Sequence, residues 1–328
     1  MKKPGPNRII LAMDSHGLSS AQVCKAKYWQ SSVLHLHSIK TKMDYDKEAR
    51  VFKPSEKFNA FELGTFIHNI FEHVNRLRLR VVRGRKVPFN YTVTDNVLIN
   101  IGLKRIQRCK AFKPEDKLFH TAKWVECYAE VKKQERFLKP LGAEVGFSKV
   151  IYEDNDVCFI YEGRIDYIGR NDPAGVLSWV DYKTQSKDYV LYENPNQFIG
   201  YSWVLGTNLG FVQYYGLQSG NKNAGMAEIQ REREKAFRLE PIYHNPKLIE
   251  QWKTETVQTF REIASLLPFG ELAFRRNRAA CTSGFSGVCS FVPRCDNAWA
   301  GVEVLNGITR MRYRREEWHP WRTTNGTK

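Results

Sequence analysis

Three acid-x-Lys triplets occur in the chain: Glu115-x-Lys117, Glu130-x-Lys132 and Asp181-x-Lys183. Chance alone gives about three in a chain of this composition, so context must separate them. The first two lie in helical or turn sequence. The third follows Leu177-Ser178-Trp179-Val180, which reads as a strand, where residues i and i+2 share a face. Asp181 and Lys183 therefore project together. Upstream, Gly163-Arg164-Ile165-Asp166 sits on the preceding strand. If the two strands pair as a hairpin, Asp166 comes beside Asp181. Carboxylates clustered on adjacent strands suit a hard divalent cation such as Mg²⁺ or Mn²⁺. Two surface acids with a salt-bridging lysine account for the same residues equally well.

Two helices add polar groups. His68 and Glu72 stand four apart and share a helical face that borders an apolar stripe. They could complete a metal site or form one exposed pair. Gln197 and Tyr201 are four apart on the segment after the Asp-x-Lys strand. They could orient Lys183 or touch a phosphate, and ordinary amphipathic polarity explains them as well.

These residues need elements to position them. Phe61 to Arg80 reads as a helix, with Leu63, Phe66, Ile67, Ile70, Phe71, Val74 and Leu77 at helical spacing. Asp95 caps a helix towards Arg108, and Thr121 to Leu138 reads as another, stopped by Pro140. Glu144 to Tyr152, Val157 to Ile168 and Val176 to Lys183 read as strands separated by polar turns. Asn196 to Leu205 follows as a helix, Phe211 to Gln218 as a strand, and Pro246 opens a long helix to about Leu267. The order gives a mixed α/β core with helical additions. Four stretches emerge: an N-terminal segment over 1–60, a helical basic segment over 61–142, a core sheet with its motif helix over 143–220, and a C-terminal segment over 221–328.

Bulk properties bound the rest. The chain has 328 residues, enough for one large domain or two. Its 42% apolar content describes a globular protein rather than a disordered one. No apolar stretch approaches the roughly 20 residues of a membrane helix, and Ile9 to Met13 is too short for a secretion signal. A cytosolic location, with no membrane partner, is the default expectation. Lysine plus arginine is 51 against 35 acids, a net charge of +16 that favours a polyanion. Arg76, Arg78, Arg80, Arg83, Arg85 and Lys86 follow the His68 helix, with Lys104, Arg105, Arg108, Lys110 and Lys113 close behind. That density suits a groove tracking a nucleic-acid backbone, or a solvated face. Trp203, Tyr214 and Tyr215 could stack on bases, although aromatics at such spacing more often fill a core. No G-x-x-x-x-G-K-[ST] phosphate loop is present, so the chain is not itself an ATP-driven motor.

Seven cysteines complete the inventory. In a cytosolic chain they read as buried thiols or metal ligands rather than disulfides. Cys281, Cys289 and Cys295 are spaced C-x7-C-x5-C near the C-terminus, and Cys24 stands far upstream. Cys109, Cys127 and Cys158 sit in helix or strand patterns and read as ordinary thiols.

Taken in order, Gly64-Thr65-Phe66-Ile67-His68 with Glu72, Gly163-Arg164-Ile165-Asp166, Asp181-Tyr182-Lys183-Thr184 and Gln197-x-x-x-Tyr201 resemble the PD-(D/E)XK nuclease superfamily, in particular its RecB-type branch. The resemblance covers roughly residues 60–220. It implies a restriction-endonuclease-like mixed sheet flanked by helices. It also implies metal-dependent hydrolysis of phosphodiesters in DNA, by an exonuclease more than by a site-specific endonuclease, in recombination, repair or viral DNA processing. His68, Asp166 and Asp181 would hold Mg²⁺ or Mn²⁺. Lys183 would position or activate the attacking water, Gln197 and Tyr201 would buttress the site or touch the DNA backbone, and Glu72 would stand behind the ligands.

One early and three late cysteines resemble the iron–sulfur exonucleases of that branch, of the AddB and CRISPR-associated kinds, whose four thiolates hold a [4Fe–4S] cluster. Here seven residues, not two, separate the first two late cysteines, and zinc is the next choice for the same sulfurs. A helicase or recombinase acting in trans and a bacterial or phage-infected cytoplasm also follow from the resemblance. The alternative is a catalytically inactive nuclease-fold subunit that binds DNA or scaffolds an assembly, with a structural iron–sulfur or zinc site. RNA stays open as a substrate.

Overall fold

The computed structural model describes residues 8–38, 43–46, 51–54, 60–82, 95–109, 124–125, 138–171, 175–185, 195–216, 237–281, 289–298 and 302–315. Among them a six-stranded mixed sheet forms the centre. Its strands are β1 (Ile9–Met13), β2 (Leu138–Glu153), β3 (Val157–Asn171), β4 (Leu177–Gln185), β5 (Leu209–Gly216) and β6 (Phe237–Tyr243). The order is β1-β3-β4-β5-β6, with β2 also paired to β3. β1 runs parallel to β3 and β4 parallel to β5, while the β2–β3, β3–β4 and β5–β6 pairs are antiparallel. The expected restriction-endonuclease-like arrangement of a mixed sheet between helices is therefore present.

The helices divide between two cores. On one side pack α1 (Ser15–Val23), α4 (Pro195–Leu205) and α5 (Pro246–Leu266), around Leu18, Phe198, Phe260 and the sheet residues Phe159, Tyr161, Trp179 and Val212. On the other pack α2 (Ala60–Val82) and α3 (Asp95–Arg108), around Ile67, Ile70, Phe71, Val74 and Ile106 with Tyr167, Val180 and Tyr182. The apolar stripe read along α2 is this buried face. Asp14 caps α1 by accepting the Gly17 N–H at 2.7 Å, and Asn245 caps α5 with Pro246 in the first turn.

Three sequence expectations change here. The run Ile9 to Met13 is an added strand of the sheet. Leu138 does not end a helix: it opens β2, and of the expected helix 121–138 only Trp124 and Val125 are described and helical. Pro140 lies within β2, at a break in register, on a strand that among the described residues is paired on one side only. An unpaired side has no use for the N–H that proline lacks, so the helix breaker is tolerated in a strand.

The C-terminal segment returns to the N-terminus. Tyr313–Arg315 pairs with Leu36–Ser38, and Leu36, Phe291 and Tyr313 form a small core. Arg294 bonds to Gln30 at 2.8 Å and to Glu271, and Gln30 also donates to Glu271. Among the described residues no helix is long and apolar enough to cross a membrane.

Candidate active site

β3 and β4 stop pairing at Tyr167↔Val180. One step further the strands part, and Asp166 and Asp181 face each other across the fork. Asp166 Oδ2 accepts the Tyr182 N–H at 2.8 Å, replacing the lost ladder bond. The hairpin pairing expected from sequence thus brings the two carboxylates to neighbouring strands.

Asp181 is 1% exposed. Lys183 Nζ lies 2.7 Å from its Oδ2, and Gln197 Nε2 donates to its Oδ1 at 2.8 Å. The same Gln197 amide accepts from Lys183 at 3.1 Å and donates to the Tyr201 hydroxyl at 2.8 Å. Tyr201 in turn donates to the Arg164 carbonyl at 2.7 Å. One glutamine therefore ties the acid, the lysine and the tyrosine, and anchors α4 to two strands. Burial pushes Asp181 up to about 6 against the pull of Lys183, and Asp166 adds to the push. Burial likewise keeps Tyr201 protonated well above its usual range. Its hydroxyl stays a donor.

α4 is itself fixed by Asn196, a residue the sequence reading passed over. The side-chain amide of Asn196 donates to Ser19 and Gln22 of α1 at 2.9 and 2.8 Å and accepts from Trp252 of α5 at 3.0 Å. Its carbonyl accepts from Tyr161 on β3 at 2.6 Å. Tyr161 comes this close because Gly200 presents no side chain, and an added Cβ would collide with the tyrosine ring.

From the other side α2 delivers His68, whose Nδ1 stands 3.7 Å from Asp166 Oδ2. The helix is registered by Phe71, stacked on Tyr182 at 4.7 Å, and by Asn75, which donates to the Tyr182 hydroxyl at 2.9 Å. Glu72 is buried and paired with Arg76 at 2.7 Å. Arg76, expected to meet nucleic acid, is thus already bonded to the acid one turn before it.

A third carboxylate was not anticipated. Glu144 falls between the Ala143↔Tyr167 and Val145↔Ile165 pairs of the β2–β3 ladder, opposite Asp166. Glu144, Asp166 and Asp181 thus form a row across three strands. Arg164 Nε bonds to Glu144 at 2.9 Å, and the glutamate side chain is 8% exposed. Burial, Asp166 and Glu72 push its carboxyl up, while Arg164 and Arg76 pull it down. Its φ is +50°, a left-handed conformation that costs a non-glycine residue about 1–3 kcal/mol. The hairpin carries many other charges, so no signal in the sequence singled out Glu144; its place follows from the register that sets it opposite a motif aspartate.

The donor set fits a hard divalent cation: Asp166 and Asp181 supply oxygens from adjacent strands, with His68 at the rim. Among the described residues, no group of three His, Cys, Asp or Glu side chains converges as a ready ligand cage. The physical reason is visible in the bonds above. Both Asp181 oxygens meet Gln197 or Lys183, and one Asp166 oxygen meets a backbone N–H. A cation would exchange for some of these donors.

The expected cysteine centre is likewise not a closed ligand set. Cys24, Cys281, Cys289 and Cys295 lie within electrostatic reach of one another, and burial with the neighbouring sulfurs pushes Cys295 up to about 11. The contacts made are with backbone: Asn277 N–H to Cys24 Sγ at 3.5 Å, and Cys281 Sγ to the Asn277 carbonyl at 3.5 Å. Cys158 is buried, Cys109 packs at the edge of the α2–α3 core, and Cys127 lies outside the described residues.

Among the basic residues, Lys104 and Arg108 are exposed on α3, and Arg105 is turned to the Asn69 carbonyl at 3.0 Å. The side chains of Arg78 and Arg80, and residues Arg83, Arg85, Lys86, Lys110 and Lys113, lie outside the description. Tyr214 is buried, and Trp203 packs on Tyr161 and Trp252 under Lys149. Both are core residues rather than base-stacking platforms. The Tyr215 side chain is outside the description.

The model of the PD-(D/E)XK nuclease superfamily matches residues 16–296. No curated protein matches the chain in sequence. Similar solved structures include a protein of Eubacterium rectale provisionally described as an exonuclease, 11% identical, covering 77% of this chain and 80% of its own, with a TM-score of 0.36. A phage-related exonuclease from Haemophilus somnus is 11% identical, covers 77% of this chain and 94% of its own, and has a TM-score of 0.29.

Proposed function

Because this chain belongs to the PD-(D/E)XK nuclease superfamily, we propose that it is a metal-dependent deoxyribonuclease that removes nucleotides from DNA ends. The observation that carries this reading is the Asp181–Lys183–Gln197 set at a strand fork opposite Asp166. A buried acid with an ammonium locked beside it is what phosphodiester hydrolysis needs.

Asp166 and Asp181 would hold Mg²⁺ or Mn²⁺, with His68 beside them. When bound, the cation supplies Lewis-acid neutralisation of phosphate charge and a water of lowered pKa. Lys183 presents its ammonium where the attacking water would lie and favours negative charge on the reacting phosphate. Gln197 fixes the lysine against rotation, since its carbonyl holds Nζ while its amide holds Asp181. Tyr201 locks Gln197 in turn. Lysine alone cannot supply the roughly 20 kcal/mol by which such a barrier must fall, so activity requires the metal.

The RecB-type order of motifs supports exonuclease over endonuclease action. The +16 charge supports a polyanionic substrate. A motor or recombinase in trans and work in recombination, repair or viral DNA processing fit that order. The order of one early and three late cysteines, Cys24 with Cys281, Cys289 and Cys295, supports a thiolate metal centre, iron–sulfur ahead of zinc. Elemental analysis and visible absorbance test this: Cys289→Ser should lose the metal that the native protein carries.

Cleavage of end-labelled single- and double-stranded DNA tests the main proposal. Loss of label with Mg²⁺ or Mn²⁺, abolished by chelator and by Lys183→Ala, is the expected result. DNA binding without cleavage by folded native protein would instead mean a nuclease fold that serves only to bind or assemble.

A further inference from the structure

Resting on the nuclease reading above, we propose that Arg164 is a substrate-phosphate contact and that Glu144 is the positioning residue that holds it in place.

Several observations point to this pair. Arg164 and Asp166 are two apart on β3, so their side chains leave the same face of the strand. Glu144 stands opposite Asp166 on the neighbouring strand and grips Arg164 through Nε at 2.9 Å. The arginine side chain is 20% exposed and the glutamate 8%. An ion pair so nearly buried gains little over an apolar pair of the same size, because desolvation offsets most of the attraction. Glu144 also adopts a left-handed φ of +50° in the middle of a strand. Strain of this kind persists where the surroundings over-determine it, commonly at functional sites. A buried ion pair on a strained backbone, beside the two motif carboxylates, is placed to act on a ligand.

The chemistry of that ligand follows from the guanidinium. With Nε held by a carboxylate, its planar fork has a fixed direction, and a fork of N–H donors matches two phosphate oxygens. The Arg164 carbonyl is held by Tyr201, so backbone and side chain are both constrained. A row of carboxylates would otherwise repel a polyanion, and a cation placed at the end of the row offsets that repulsion for one phosphate. Glu144 does not touch the substrate: it acts through the arginine.

The test reads binding and turnover separately on the full chain. Binding of an end-labelled single-stranded oligonucleotide is titrated over a range of salt with Ca²⁺ in place of Mg²⁺. Arg164→Gln is expected to weaken binding by about tenfold or more. It should also make the slope of log affinity against log salt shallower by about 0.7, the counterion release of one phosphate on a single strand. Glu144→Gln keeps the charge of Arg164, so its slope stays native while kcat in Mg²⁺ falls. Arg164→Lys keeps the slope and loses turnover, because an ammonium cannot reproduce the fork.

A purely structural pair would lower the melting temperature of Arg164→Gln and leave its slope native, which overturns the proposal. If Arg164→Gln does not fold, Arg164→Lys decides: native turnover in that variant overturns it too. The two readings fail apart. An arginine-dependent salt slope in a protein that cuts nothing sinks the nuclease reading alone. Cleavage that proceeds with an unchanged slope in Arg164→Gln sinks only the phosphate contact.

Discussion

Around Asp181, each polar atom of Gln197 is committed to another group of the same site. Around Cys24, the sulfurs lean on backbone groups of Asn277, and what joins the chain ends is Arg294 with Gln30 and Glu271, together with a short strand pair. In both regions burial raises an acid above its ordinary range: Asp181 is pushed up to about 6 and Cys295 up to about 11. The difference lies in what satisfies them. The carboxylate has a dedicated cation and amide, so its geometry is set before any metal arrives. Among the described residues the thiols have a nearby charge in Arg276 but no hydrogen-bonded counter-ion of the kind that Lys183 gives Asp181. Preorganisation therefore belongs to the carboxylate cluster, and the contact between the N-terminal and C-terminal segments has a part made by the protein's own side chains.

The comparison breaks most sharply at Asp181. Asp181→Ala removes a carboxylate on which Lys183 and Gln197 both depend, and cleavage of end-labelled DNA should fall by about 10³-fold or more. Circular dichroism should show the fold retained, because the residue contributes no apolar packing. Cleavage within a few-fold of native would mean that the chemistry lies elsewhere.

The pH dependence is the next effect. The folded-state carboxyl of Asp181 titrates near 6, above its ordinary range, so the native state holds this proton more tightly than the unfolded chain. Stability from this group is full below about pH 4 and is lost as pH rises through about 6, by up to roughly 3 kcal/mol. Melting curves in chelator, native minus Asp181→Asn, isolate the contribution. Mg²⁺ should restore the loss above pH 6, since it favours the ionised form. A difference that does not change between pH 4.5 and pH 7 would show that Lys183 fully compensates the buried charge.

Gln197→Ala leaves the acid and the lysine in place and removes only their alignment. Groups of this kind usually cost about 10–100-fold in activity or metal affinity. The expected signature is a lower kcat with little change in KM for DNA, read from steady-state cleavage. A rise in KM alone would place the glutamine on the substrate instead.

Much of this site was legible in the sequence because short-range periodicity carries it. Residues two apart on a strand and four apart on a helix share a face, so the sequence alone pairs Asp181 with Lys183 and Gln197 with Tyr201. Glu144 was not, because its place depends on the β2–β3 register and on a backbone conformation that no side-chain pattern announces. β1 escaped because its exposed positions, Ile10 and Ala12, are apolar like its buried ones, so the in-and-out alternation of the strand leaves no pattern in five residues. Pro140 misled because its effect depends on whether its missing N–H has a partner to lose. The segments after residue 270 escaped for a related reason: they are held by polar long-range contacts such as Arg294 to Gln30, which leave no period.

That last contact offers the smallest and most discriminating test. Arg294 is 8% exposed and binds Gln30 and Glu271, one of them more than 260 positions away in the chain. Arg294→Ala leaves the Glu271 carboxylate and the buried Gln30 amide without their shared donor. Charge-assisted bonds of this kind contribute about 1.5–3 kcal/mol, and because Glu271 is 23% exposed the lower end applies. The melting temperature should fall, and turnover per folded molecule should not, since the network touches neither Asp166 nor Lys183. If the tie depended on a thiolate-bound metal alone, Arg294→Ala would melt with the native protein whenever that metal was present. A loss of stability seen equally in metal-loaded and chelator-treated protein would instead show that the protein's own polar network holds the two ends together, whatever the cysteines carry.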